Sequence, residues 1–139
     1  MKAVSTTFSV ATQGNCDIID ITSKVTQFVN KEKIKHGILT VFIPGSTCGI
    51  TTIEYESGLI SDLKEVEEKI VPENKNYKHN LRWSDGNGHS HLRASLMGAS
   101  LTIPVVSGEL TLGTWQQIVI CDFDNRPRNR DIVLQIIGE

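Results

Sequence analysis

The run from Ile38 to Ile43, ILTVFI, constrains the chain more than any other stretch. It is continuous, apolar and of strand length, and Pro44-Gly45-Ser46-Thr47 breaks it, so it predicts a strand buried on both faces. Shorter signals group around it. Residues 3–12 and Cys16 to Ile21 read as two strands joined by a Gly14-Asn15 turn, an opening hairpin. Ile21, Val25, Phe28 and Val29 recur at helical spacing, with Asp20 or Thr22 as N-cap and Gly37 as the stop, placing Lys35 and His36 in the last turn. Ile50 to Tyr55 resumes as a strand, and a second helix over Leu59 to Val71 turns Leu59, Leu63, Val66 and Ile70 to one side, with a Glu65–Lys69 pair outside.

Residues 73–80 read as loop, and His91 to Met97 as a short helix closed by Gly98. Ser107-Gly108 predicts a hairpin between Leu101 to Val106 and Glu109 to Leu112, with Pro104 forcing an edge or a bulge. Gln116 to Phe123 and Ile132 to Ile137 complete a meander through the polar turn DNRPRNRD. The sum is a compact α+β single domain over residues 1–139, with a mixed or antiparallel β-sandwich-like core and two to three helices. A chain of 139 residues can bury enough surface to hold such a core without disulfides.

Composition excludes several functions. A net charge of −2 with no basic stripe argues against nucleic acid, and no apolar run approaches membrane-spanning length. Three cysteines, odd in number and widely spaced, suit a reducing compartment, and with no leader-like start the chain is expected in the cytoplasm. Cys16 and Cys121 read as small core residues. Cys48 invites a nucleophile role, but nothing local signals a lowered thiol pKa.

Chemistry concentrates in His79 to Gly98, HNLRWSDGNGHSHLRASLMG. His79, His89 and His91 would supply imidazoles for a divalent ion, zinc or magnesium, with one position left open. Residues two apart share a side of an extended segment but oppose each other on a helix. His89 and His91 therefore converge only if Gly86 and Gly88 keep the backbone extended. The alternative is that one histidine caps the helix while the others bond backbone or water. Asp85 could ligate or orient an imidazole, and Asn87-Gly88, entering a helix, offer free N–H groups to phosphate; a plain Asp-Gly, Asn-Gly turn is the competing reading. Glu54, at a strand end, is a candidate base. Thr47 in the GSTCG loop could donate to a substrate, and Arg126, Arg128 and Arg130 could clamp phosphate, although a solvated turn suits at least two of them. Trp115 reads as core.

The segments FIPGSTCGITTIEYE, HNLRWSDGNGHSHLRASLMGASLTIPV and LGTWQQIVICDFDNRPR, with the closing strand, resemble the YjbQ family across nearly the whole chain. The resemblance implies a compact α+β fold assembled as a homotrimer, with a polar histidine-lined cleft at the subunit interface. It also implies a secondary thiamine-phosphate synthase activity, joining a pyrimidine-methyl diphosphate to a thiazole phosphate and releasing pyrophosphate. The matching motif positions are His79, Asp85, Asn87, His89 and His91, with Glu54, Thr47, Gln116 and Arg126 as weaker members. Many relatives carry histidine where Gly45 stands, asparagine where Ile53 stands and alanine where Cys48 stands. The leading expectation is a metal-assisted enzyme on a small phosphorylated substrate: His79, His89 and His91 at the metal, Glu54, Asp85 and His89 in catalysis, and Thr47, Asn87, Gly88, Gln116 and Arg126 on phosphate. The other is a trimeric module that binds a small anion or metal without turnover.

Overall fold

The computed structural model covers residues 1–139. In chain order the elements are β1 (Lys2–Thr12), β2 (Asp17–Asp20), α1 (Thr22–Glu32), β3 (His36–Phe42), β4 (Cys48–Ile53), α2 (Ser57–Ile70), α3 (Lys78–Trp83) and α4 (Gly88–Met97). They are followed by β5 (Ser100–Val106), β6 (Glu109–Leu110), β7 (Gln117–Asp122) and β8 (Arg128–Gly138). Two sheets form, in the orders β1-β8-β3-β5-β6 and β2-β7-β4. Every pairing is antiparallel. The α+β class holds, with four helices rather than two or three.

The molecule has three layers. Leu39, Val41 and Ile43 from β3 and its end meet Ile132, Leu134 and Ile136 of β8, and both rows pack on Ile50, Ile118 and Ile120 of the smaller sheet. Val25, Phe28 and Val29 of α1 close the end of this core. On the far side of the smaller sheet Cys16, Ile18, Val119, Cys121 and Phe123 form a second cluster, covered by Ile60 and Leu63 of α2 and by Ala94 and Met97 of α4. Each fully buried aliphatic side chain contributes about 1.5–3 kcal/mol of transfer free energy. A one-residue slip of β3 would replace Leu39 and Val41 by Ile38 and Thr40, so burial fixes its register.

Four local expectations change. Residues 38–43 are buried on one face only, because Ile38 is 55% and Phe42 41% exposed. The strand buried on both faces is β7, where Ile118 to Asp122 are all buried between the two clusters. The opening pair is no hairpin: β1 joins β8 in one sheet and β2 joins β7 in the other. The link between them holds Gly14, Asn15 and Cys16 at φ 76°, 56° and 63°, a left-handed turn that carries the chain across the sandwich. Likewise β7 and β8 belong to different sheets, and Arg128 onward is strand rather than turn.

Helix ends also move. α1 stops at Lys33 in the left-handed conformation (φ 56°), and His36 is already strand, opposite Val106. The N-cap position falls on Ile21, so neither Asp20 nor Thr22 caps the helix as expected, although Asp20 accepts the Thr22 N–H at 2.9 Å from one residue before it. α2 is capped by Glu56, whose carboxylate accepts from the Gly58 and Leu59 N–H groups at 2.7 and 2.8 Å. Leu63 packs inward as expected, with Ile60 beside it, while Val66 and Ile70 stay exposed. The Glu65–Lys69 pair forms at 2.9 Å on the exposed face, worth a few tenths of a kcal/mol. The Ser107-Gly108 hairpin forms with both residues at positive φ, as a two-residue turn of this kind needs.

Candidate functional site

α3 begins inside the stretch expected to be loop, and α4 begins at Gly88, three residues before its expected start. Gly88 is the hinge of this arrangement. A Cβ there would stand 2.7 Å from Tyr77 Cβ, and its N–H donates to Asn80 Oδ1 at 2.8 Å, locking the start of α4 against α3. The other end of α4 lies on β4 at Gly49, where a Cβ would come within 2.9 Å of Met97. Between these anchors Arg93 donates from Nε and Nη2 to the Val71 carbonyl at 2.9 and 2.7 Å, and from Nη2 to Glu68 at 2.7 Å. α4 is thereby fixed over the end of β7, and Ser90 Oγ meets the Phe123 carbonyl there.

This placement separates the three histidines. His89 and His91 both lie in α4 and are about 200° apart around its axis. His89 turns inward, 1% exposed, with Nε2 3.3 Å from Ser90 Oγ and Nδ1 without a hydrogen-bond partner. Burial, and then the Arg93 guanidinium, push its pKa below the ordinary imidazole value, so it is a neutral interior residue. The helix starts early enough to turn His89 away, so the three imidazoles expected at one ion do not converge.

His91 points the other way, to His79 on α3; their ring centroids are 4.3 Å apart at 41°. Burial, and then the neighbouring His79, lower the His91 pKa, opposed by Asp85 and Asp124. His79 Nδ1 is buried and has no hydrogen-bond partner, with Asp85 Oδ1 3.5 Å away. Asp85 also accepts the Asn87 N–H at 3.2 Å, and its carbonyl accepts from Asn125 Nδ2 at 2.7 Å, so the turn is tied to the β7–β8 connection. Asn87 is 7% exposed, and its Oδ1 is engaged by the Ser90 hydroxyl. The Gly88 N–H, already given to Asn80, is likewise spent.

His91 forms one wall of a cavity of about 300 Å³, also lined by Gly45, Ser46, Cys48, Ala94 and Ser95. Under its floor lies an ionic network that sequence reading missed. Arg130, 8% exposed, donates from Nε and Nη2 to the two Asp122 oxygens at 2.7 and 2.8 Å. Nη2 also donates to Thr47 Oγ1 at 2.7 Å, and Thr47 in turn donates to Asp124 Oδ2 at 2.9 Å. Arg128 Nε reaches the same Asp124 oxygen at 3.1 Å. Both aspartates are fully buried, where a carboxylate persists only if paired. Thr47 therefore holds the loop in place and is not free for a substrate. A signal was available: QIVICDFD sets two acids into an apolar strand, and such acids need buried cationic partners, here the arginines at period two in RPRNR.

Three other candidates, Glu54, Trp115 and Gln116, lie elsewhere. Glu54 is exposed at the opposite end of β4, roughly 20 Å from the loop at 3.3 Å per residue. It borders a hollow with Asp20, Tyr55 and Trp115. Trp115 is 71% exposed and not core. Gln116 bonds Thr52 and Gly113 at that same far end. Arg126 is exposed in the turn. Cys48 is buried beside Asp122, and its thiol is pushed up to about 12, so it is no nucleophile. All three cysteines are free.

Fold and cleft together define a small two-sheet α+β protein with an imidazole pair at a helix–helix junction. The chain belongs to the UPF0047 protein YjbQ-like family, whose model matches residues 6–139. It is 40% identical over 139 residues to a UPF0047 protein of Methanothermobacter thermautotrophicus, covering 100% of this chain and 95% of that one. It is 34% identical to the UPF0047 protein YugU of Bacillus subtilis, covering 95% and 98% of the two chains. Among solved structures, a YbjQ-like protein of unknown function from Sulfolobus solfataricus superposes with a TM-score of 0.94 at 36% identity, covering 99% of both chains. No helix is long and apolar enough to cross a membrane.

Proposed function

We propose that the cleft at His79 and His91 is the working site of an enzyme acting on a small phosphorylated substrate in the cytoplasm. The observation that carries this reading is the imidazole pair, with rings 4.3 Å apart and His79 Nδ1 buried without a partner beside Asp85. Two imidazolium ions at that spacing repel, so the pair favours neutral rings or a shared cation. A divalent ion, zinc or magnesium, would be held by His79 and His91, with Asp85 from the carboxylate side. The side chains as they stand form no group of three or more such ligands, so the third donor must come from a shift of Asp85 or from substrate. Such an ion supplies charge neutralisation at a departing diphosphate.

The chain's own groups define the rest. His91, kept neutral, presents a ring nitrogen to the cavity as acceptor or donor, and Ser46 offers a hydroxyl opposite it. α4 screens the cavity from one side, and Asp85 orients His79. The candidate reaction is formation of thiamine phosphate: the thiazole nitrogen bonds the pyrimidine methylene carbon as the carbon–oxygen bond to diphosphate breaks and pyrophosphate leaves. The test is metal content and thiamine phosphate formation in purified wild type, His79→Ala and His91→Ala. We expect metal in the wild type, loss of it in both variants and a drop in rate of at least tenfold. A wild type that takes up no zinc or magnesium, or a rate indifferent to both imidazoles, would sink the reading.

A second reading, a homotrimeric module that binds a small anion without turnover, draws on the outer face of the five-stranded sheet. Ile38, Phe42, Val106 and Ile137 are 55%, 41%, 49% and 42% exposed there, and Ile38 and Ile137 line a hollow of about 320 Å³ together with His36 and Glu139. A face of this kind suits association with further copies of the chain. Ligand binding without product in the same assay would favour this module.

A further inference from the structure

We infer that Arg130 is an anion-binding residue, reaching a substrate oxyanion through the gap left by Gly45. The inference rests on the reading that this cavity takes a phosphorylated ligand, and it replaces the phosphate contacts expected of Thr47, Asn87, Gly88, Gln116 and Arg126. Two of the three guanidinium nitrogens are committed: Nε and Nη2 both bond Asp122, and Nη2 also bonds Thr47. Nη1 makes no hydrogen bond in the chain, yet it is not among the sealed, unpartnered polar atoms, so it keeps access to solvent. The residue as a whole is 92% buried, being 8% exposed, and cannot swing away.

Gly45 is what leaves Nη1 uncovered. A Cβ at that position would stand 3.0 Å from Nη1, its one close contact, and any longer side chain would cap it. Gly45 and Ser46 also line the cavity that holds His91, so an oxyanion at Nη1 would lie within the same loop as the Ser46 hydroxyl. The arrangement is a clamped arginine, oriented by a carboxylate behind it and offering two N–H donors forward. Because the guanidinium is fixed beforehand, little entropy is lost when an oxygen binds. Arg128 and Arg130 are balanced by Asp122 and Asp124, so the site exerts no long-range pull on anions. Selection is by directed hydrogen bonds to a phosphoryl oxygen, and a bulky residue at 45 closes the subsite.

The test is binding of pyrophosphate and of inorganic phosphate to the full chain by calorimetry, in EDTA so that no metal bridges the anion. Wild type, Gly45→Ala, Arg130→Lys and Arg126→Ala are compared, with thermal unfolding recorded for each. Gly45 sits at φ 145°, where a side chain is strained, so Arg130→Lys is the independent variant: it keeps a positive charge but cannot hold Asp122 and a ligand together. Loss of a charge-assisted hydrogen bond predicts roughly 10- to 100-fold weaker pyrophosphate binding in both folded variants, with Arg126→Ala unchanged. Equal binding by wild type and both variants, an equal loss in Arg126→Ala, or no wild-type binding in EDTA would overturn it. Metal content and product formation on the same preparations judge the imidazole reading separately.

Discussion

His89 and His91 are two positions apart in sequence and have opposite fates. His91 faces the cavity, whereas His89 is enclosed in the interior, with burial as the largest influence on its pKa. An unfolded chain protonates histidine near pH 6.5, but the native pocket resists the proton. The stabilisation from a neutral His89 is therefore complete above about pH 6.5 and is lost as pH falls below it. His91 shifts in the same direction. The melting temperature should drop between pH 7.5 and 5, and His89→Asn should flatten most of that slope. A wild-type melting temperature constant over this range would contradict the assignment. The histidines were visible in the sequence as a cluster, but which of them converge depended on whether α4 starts at Gly88 or later, and period-two spacing cannot fix a helix boundary. Asp122 and Asp124 were harder to read. Their partner Arg130 lies beyond a turn and in the other sheet, and a run of arginines around proline reads locally as solvated.

At the level of elements, the short signals read best and the pairings worst. The Ser107-Gly108 hairpin was legible because its turn is local. The partners of β1 and β2 were not, since nothing between residues 12 and 17 says that the chain changes sheet. The apolar run over 38–43 suggested two covered faces, yet hydrophobicity alone does not distinguish a covered face from one left for another molecule. The seating of α4 on β4 depends on Gly49. Gly49→Ala would put its Cβ within 2.9 Å of Met97 Cβ, Cγ and Sδ, and overpacking of this kind costs about 1–3 kcal/mol. Urea unfolding should show that loss, and adding Met97→Ala should restore part of it. No recovery in the double variant would mean that the helix, and not the Met97 side chain, is displaced.

For the whole molecule, the open sheet face makes the clearest demand. Ile38, Thr40 and Phe42 of β3 face outward beside Gln135 and Ile137 of β8, with no layer over them. Placing charges there with Ile38→Lys and Phe42→Lys should leave the inward-facing core intact and abolish self-association. Light scattering should then change from an oligomeric mass to that of one 15.4 kDa chain, with the far-ultraviolet spectrum retained. A wild type already monomeric at micromolar concentration would remove the homotrimer from both functional readings.

The order β1-β8-β3 has a consequence for how the molecule is made. β8, made after the seven other strands, is inserted between the first strand and the third, with Lys2 opposite Gly138 and Ile38 opposite Ile137. Until residues 128–138 emerge, β1 has no neighbour and the inner rows of β3 and β7 lack half their cover. The larger sheet therefore cannot assemble progressively during synthesis. It closes late, around β8, through contacts of large sequence separation, and such contacts slow folding.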